Sequence, residues 1–286
     1  MELQAILPNE ETTMDPGLLG ELAVLAESLG YTAVWLPDHL LPPAPYGKTY
    51  GGVFEPLVTL AHLAARTSTI RLGTSVLVLP MRNPYVVAKQ AATVHRLSEG
   101  RFILGIGAGW DRKEFASVGA DFRRRGAVTD ESIALLRALF RGETSFEGEF
   151  HRFEQGVFEP MPPQPVPIMV GGMSEAALKR AAALADEWQA VGVGPEEFGR
   201  LAARLAELRA RAPSGRSLRV TARIEWPGDG SRAAEAVSTV ASVASAVRAF
   251  GARGADAVAV WFGDSADVAD RLALLAGELG IPADDR

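Results

Sequence analysis

IMVGGMSEAALKRAAALADEWQAV, residues 168–191, is the stretch that settles the architecture. A short apolar run over 168–170 passes through Gly171, Gly172 and Met173 to Ser174, an N-cap residue, and then into a helical stretch over 175–185. A second apolar run follows over 188–191. A strand buried on both faces reads as a continuous apolar run, and two parallel strands need a crossover helix between them. The stretch is therefore one parallel βαβ unit.

The same alternation extends both ways. Toward the N-terminus it gives strands over 3–7, 33–37, 70–79 and 101–106 and helices ending at residue 29 and over 55–66, 85–97 and 127–140. The first helix opens at Asp15-Pro16, an N-cap with proline at the first helical position, and ends before Gly30. Toward the C-terminus it gives helices over 196–211, 233–250 and 266–279 and strands over 219–224 and 257–262. A Pro- and Gly-rich loop spans 40–52, a hairpin is expected over 146–158, and 161–167 is too rich in proline for helix or central strand. Eight strands and eight helices in 286 residues predict a single α/β domain over 1–286. Its expected form is a (β/α)8 TIM barrel with an insertion at about 111–165 after the fourth strand, and an open doubly wound sheet is the rival.

Composition narrows the chemistry. There is no cysteine, which excludes disulfides, thiolate metal sites and cysteine nucleophiles. A net charge of −6 argues against a nucleic-acid partner. No apolar run reaches the ~20 residues of a membrane span, and no secretory signal is visible, so a cytoplasmic chain is expected. The four histidines, His39, His62, His95 and His151, show no short metal-ligand spacing, and no metal is expected. His62 and His95 fall in helices and read as packing or surface residues.

In a barrel of this kind the site lies where strands end. After the second strand come Asp38 and His39, a candidate proton-handling pair or a polar pair capping the next helix. The third strand carries Thr74, Ser75 and Val76. The fourth ends in Gly105-Ile106-Gly107-Ala108-Gly109-Trp110, where alternate glycines let a ligand approach the backbone, without the dinucleotide fingerprint. After the fifth, Gly171, Gly172, Met173 and Ser174 open a helix whose N-terminus suits a phosphate, or is an ordinary N-cap. The run Arg123-Arg124-Arg125 reads as a solvated face or as a contact for an anionic tail.

Several motifs together resemble the luciferase-like monooxygenase family. They are Glu27-x-Leu29-Gly30, Trp35-x-x-Asp38-His39, and Leu97-Ser98-x-Gly100-Arg101 leading to Gly105-x-Gly107-x-Gly109-Trp110 with Glu114 beyond. Phe146-x-Gly148-x-Phe150 follows, then Pro160-x-Pro162-Pro163-Gln164-Pro165-x-Pro167-Ile168 and Val170-Gly171-Gly172-x-Ser174. The likeness covers about residues 1–190, and the last third agrees in element order alone.

The resemblance implies a barrel that holds FMN or the deazaflavin coenzyme F420. It implies a ring packed on a third-strand bulge with a non-prolyl cis peptide, for which Ser75-Val76 stands at the matching place. Thr74, Ser75, Val76, Gly107, Ala108 and Gly109 would then surround the ring, with the phosphate on Gly171, Gly172, Met173 and Ser174. His39, with Asp38, would be the catalytic pair at the reactive ring edge, and Trp110 would face the substrate. Ala108 stands where luciferase has a phosphate-binding arginine, and Asp38-His39 is similar to the F420-dependent branch. Trp110 replaces a glutamate of that branch's sugar-phosphate dehydrogenases, and His95 an aspartate common before Arg-Leu-Ser. The expected function is F420-dependent hydride transfer to or from a small organic substrate in a homodimer. An FMN monooxygenase using O2 and a non-catalytic flavin-binding barrel are the alternatives.

Overall fold

The computed structural model describes residues 1–10, 14–44, 52–212, 217–226, 239–263 and 265–282. Its strands are β1 (Glu2–Ile6), β2 (Ala33–Leu36), β3 (Arg71–Thr74), β4 (Leu77–Val78), β5 (Phe102–Gly107), β6 (Phe146–Glu147), β7 (Arg152–Phe153), β8 (Ile168–Gly171), β9 (Glu187–Val191), β10 (Arg219–Glu225) and β11 (Ala257–Trp261). The α-helices are α1 (Pro16–Ser28), α2 (Pro56–Ala64), α3 (Pro84–Leu97), α4 (Arg112–Ser117), α5 (Arg125–Phe140), α6 (Glu175–Leu184), α7 (Pro195–Arg211), α8 (Val240–Ala252) and α9 (Val268–Leu279). β1, β2, β3, β5, β8, β9, β10 and β11 pair in parallel around a circle, with β11 returning to β1 and β3 joined to β5. The sheet is closed: this is a (β/α)8 barrel, and the open-sheet rival falls. Among the described residues no helix is long and apolar enough to cross a membrane.

Four expectations need correction. The third strand does not run over 70–79: it breaks after Thr74 and resumes as β4, which pairs with β5. The insertion holds a helix, α4, that was not anticipated, capped by Asp111. The hairpin is smaller than 146–158, since only β6 and β7 pair. The seventh helix starts at Val240, and residues 233–238 of the expected span lie outside the described residues.

Alternation along each strand sends one set of side chains to the helices and the other into the lumen. On β1, Leu3 and Ala5 join the outer core while Ile6 joins a lumen cluster with Trp35, Ile103, Met169 and Ala259. The N-terminal end of the lumen is closed by charge. Glu2 is bridged by Arg71 and by Arg219 (2.8 Å), and Arg219 also lies 3.8 Å from the buried Glu187. Burial pushes the Glu187 carboxyl up. Burial would raise Glu2 too, but the hydrogen bond from Arg219 and the charge of Arg71 hold its carboxyl below the ordinary value.

The break in the third strand needs room, and glycines on the inner faces of β5 and β8 supply it. A Cβ at Gly105 would sit 1.8 Å from the Thr74 carbonyl oxygen. A Cβ at Gly107 or Gly171 would sit 2.4 or 2.8 Å from the Val76 side chain. The alternate glycines thus admit first the protein's own bulge, and the bulge in turn stands at the mouth of the barrel.

Candidate functional site

A cavity of about 700 Å³ opens at the C-terminal ends of the strands. Asp38, His39, Ser75, Val76, Gly107, Ala108, Gly109, Trp110, Gly171, Gly172, Met173 and Ser174 all line it. Of the residues singled out in the sequence, Thr74 stands apart. It is fully buried, and its hydroxyl exchanges hydrogen bonds with the backbone of Gly105 (2.7 and 3.0 Å), fixing the strand just before the bulge.

Ser75 and Val76 form a shelf, joined by a cis peptide bond as the resemblance implied. The shelf is held from three sides. Ser75 N–H donates to the Leu36 carbonyl (2.8 Å), the Ser75 hydroxyl donates to Gln189 Oε1 (2.6 Å), and Arg223 Nη1 donates to the Ser75 carbonyl (3.0 Å). Val76 presents its methyl groups between Gly107 and Gly171, an apolar surface at the level of the cavity floor.

His39 sits at one edge. Its Nδ1 lies 3.1 Å from Glu114 Oε2, and the other carboxylate oxygen accepts from the backbone N–H groups of Leu40 (2.7 Å) and Leu41 (3.0 Å). Glu114 is buried, so its carboxylate is fixed, and it orients the ring with the Nδ1 proton toward itself. Trp110 meets His39 edge-on, with ring centroids 6.1 Å apart.

Asp38 has a different situation from its neighbour. Its side chain is wholly buried; it accepts from Arg82 Nη2 (2.6 Å) and from Val78 N–H (2.9 Å). Arg82 continues to Glu55 (2.9 Å), whose other oxygen caps α2 at Val58 N–H (2.7 Å). Asp38 therefore ties the loop after β2 to the chain just beyond the bulge.

The opposite edge is cationic. Ser174 caps α6 by accepting from Ala177 N–H (3.2 Å), and Gly172 takes φ +125°, a conformation that favours glycine. The N-terminus of α6 thus faces the cavity beside Arg123, Arg125 and Arg180. Arg125 lies 3.9 Å over the Phe122 ring and donates to the Phe122 carbonyl (2.9 Å). Arg180 is buried, ion-paired with Asp130, and donates to the Gly126 carbonyl (3.1 Å). The arginine run is split: Arg123 and Arg125 face the cavity, while Arg124 pairs with Glu149 (2.5 Å) and covers Phe150. Arg223 and Glu225 complete the lining from β10.

Glu114, Gln189, Arg180 and Arg223 were not singled out as site residues. β10 did carry a signal, because Arg219, Thr221, Arg223 and Glu225 alternate with Val220, Ala222 and Ile224. A barrel strand with a polar inner face points chemistry into the lumen.

A parallel barrel whose mouth brings together an apolar shelf, a histidine and a cationic edge is also what similar proteins lead one to expect of an oxidoreductase. The family model described as luciferase-like monooxygenase matches residues 1–250, and the chain belongs to that family of oxidoreductases. It is 38% identical over 205 residues to an uncharacterized protein of Mycobacterium tuberculosis, 67% of this chain and 71% of that one. It is 39% identical over 176 residues to an F420-dependent glucose-6-phosphate dehydrogenase of Kineococcus radiotolerans, 60% of this chain and 51% of that enzyme, so the match spans about half the relative's length. In fold it is similar to an F420-dependent secondary alcohol dehydrogenase in complex with an F420-acetone adduct (TM-score 0.84, 18% identity, 99% of each chain). A type II Baeyer-Villiger monooxygenase from Pseudomonas putida in complex with FMN is also similar (TM-score 0.77, 15% identity, 98% of each chain).

Proposed function

We propose that this chain is a coenzyme F420-dependent oxidoreductase acting on a small organic substrate. The observation that carries the reading is the cavity itself. It joins an apolar shelf at Val76 to a cationic edge made by the α6 N-terminus, Arg123, Arg125 and Arg180, in a chain whose net charge is −6. Three arginines beyond a single helix N-terminus suit a cofactor with several negative charges on its tail better than one with a lone phosphate. Similarity to F420-dependent dehydrogenases supports the same choice.

When bound, the deazaflavin supplies the carbon that gives or accepts a hydride. The chain's own part is to hold, orient and shield. Ser75 and Val76 support the ring, with Gly107, Ala108 and Gly109 at its side. Gly171, Gly172, Met173 and Ser174 take the phosphate. His39 Nε2 accepts or returns the substrate proton, since Glu114 keeps the Nδ1 proton in place. Asp38 is a positioning residue, because both its oxygens are spent on Arg82 and Val78. Trp110, half exposed at the rim, covers the substrate side. We take the enzyme to be cytoplasmic and a homodimer, for which Val58, Val86 and Leu97, exposed on α2 and α3, offer an apolar face. Light scattering gives the mass, and Val58→Glu should lower it.

The first test is titration of cofactor-free protein with coenzyme F420 and with FMN, followed by tryptophan quenching. Micromolar binding of F420 in preference to FMN supports the proposal. A preference for FMN, with O2 uptake on reduced flavin, replaces it with the monooxygenase reading, and binding of neither overturns it. With F420 bound, His39→Ala should lower turnover by about 10²-fold or more and leave cofactor affinity nearly unchanged. Glu114→Gln, which keeps an oxygen facing His39, should lose less. If His39→Ala abolishes cofactor binding and spares turnover of what binds, the role given to His39 is wrong.

A further inference from the structure

Arg223 lies apart from the cationic edge that suits the cofactor. β10 is the seventh strand of the barrel and the bulge belongs to the third, so Arg223 reaches across the lumen to the Ser75 carbonyl with one nitrogen, Nη1. That bond uses one of its five N–H donors. Among the described residues the guanidinium is paired with no carboxylate, and its Nε is buried without an acceptor. Gln189, bonded to the same serine, leaves its Nε2 buried without an acceptor, and so does Trp261 at its indole Nε1. Buried N–H groups without acceptors are costly, and three from successive strands stand around one side of the lumen.

We infer that Arg223 is the substrate's anchor and that the substrate is a carboxylate. The inference rests on the oxidoreductase reading and gives that reading a substrate class. With Nη1 engaged and Nε enclosed, Nη2 is the nitrogen left for a ligand in the cavity, and its charge-assisted N–H donors suit a carboxylate oxygen. A guanidinium in the lining with no carboxylate beside it among the described residues rejects a cation and leaves a neutral amide's own N–H groups unpaired. Of the two acids in the lining, Asp38 is held by Arg82 and Val78 N–H and Glu225 is exposed at the rim, so neither is paired with Arg223. One cation matches one carboxylate, with His39 facing the same cavity to handle the proton of the reacting group.

The test uses cofactor-free full-length protein and matched probes: acetate, propionate and benzoate against acetamide, propionamide and benzamide. Binding is read by tryptophan fluorescence, since Trp110 lines the cavity and Trp261 lies in the lumen. At least one carboxylate should bind about tenfold or more tightly than its amide, the size expected of a charge-assisted pair. Arg223→Met should abolish that preference and Arg223→Lys should restore part of it; because Arg223 also holds the Ser75 carbonyl, some F420 affinity should be lost too, but by a smaller factor than carboxylate affinity. A preference that survives in Arg223→Met would assign the anion to the outer arginines and sink the inference. So would the binding of no carboxylate, or a loss of F420 affinity equal to the loss of carboxylate affinity, which would make Arg223 a support for the ring. If F420 fails to bind while the carboxylate preference appears and depends on Arg223, the cofactor reading fails and the anchor stands.

Discussion

Arg219 and Arg223 stand on the same inner face of β10, one turn of the alternation apart from being neighbours, and the two ends of the barrel treat them differently. At the N-terminal end Arg219 meets Glu2 and Glu187, and Arg71 meets Glu2, so the charges consume one another and close the lumen. At the C-terminal end Arg223 holds one backbone carbonyl and no carboxylate among the described residues. The same residue type on the same strand is a plug where partners are supplied and a candidate binding group where they are withheld. Charge in a barrel lumen is therefore read by its partners, not by its presence.

The largest effect should come from removing the space on which the upper end depends. Gly105→Ala would place a Cβ 1.8 Å from the Thr74 carbonyl oxygen, a backbone atom that cannot yield without moving the bulge. Overpacking of this kind costs about 3 kcal/mol or more, and the shelf should be lost with it. Calorimetry should show a clear fall in Tm, and cofactor titration should show no binding. Gly277→Ala, in α9 with nothing within 4 Å of the new methyl group, is the control and should raise stability by about 0.5–1 kcal/mol. Equal Tm values for the two variants would mean that the bulge does not need Gly105.

Next comes the pair on β10. Arg219→Met leaves the buried Glu187 and half-buried Glu2 short of a cation, which should cost about 2 kcal/mol after allowance for solvent screening. Arg223→Met should cost less than about 1 kcal/mol, because it strips one hydrogen bond from a carbonyl and uncovers no buried charge. Denaturant midpoints measured in parallel decide between them. If Arg223→Met proves the more destabilising, the upper arginine is part of the scaffold and the contrast between the two ends disappears.

Much of this was legible in the sequence because the signals are local. Parallel strands buried on both faces leave continuous apolar runs, and Asp15-Pro16, Ser174 and Gly30 punctuate them within a few residues. What escaped depends on partners far along the chain. Ser75-Val76-Leu77 is as apolar as any continuing strand; that it breaks follows from glycines at 105, 107 and 171, on two other strands. Glu114 stands three residues after the N-cap Asp111, where a reader expects helix capping. Its carboxylate instead serves His39, Leu40 and Leu41, more than seventy residues back. α4 itself is only 6 residues long, too short for periodicity to reveal.

The smallest effect expected lies outside both ends, at His95. The residue is buried between α3 and β5, with Nδ1 donating to the Phe102 carbonyl (3.2 Å) and Nε2 enclosed without a partner. Burial holds its pKa below the ordinary histidine value, against a smaller upward pull from the Phe102 hydrogen bond. The folded chain then binds this proton less readily than the unfolded chain, so His95 leaves stability intact above about pH 6.5, the unfolded value, and erodes it as the pH falls below that. His151 shifts in the same direction, also through burial, so the acid sensitivity is shared. Tm should therefore drop between pH 7 and pH 5, and His95→Gln, which keeps a donor for Phe102 and cannot titrate, should drop less. Identical slopes would show that His95 is protonated inside the fold, which would require an acceptor at Nε2 and so a different packing of α3 on the barrel from the one described.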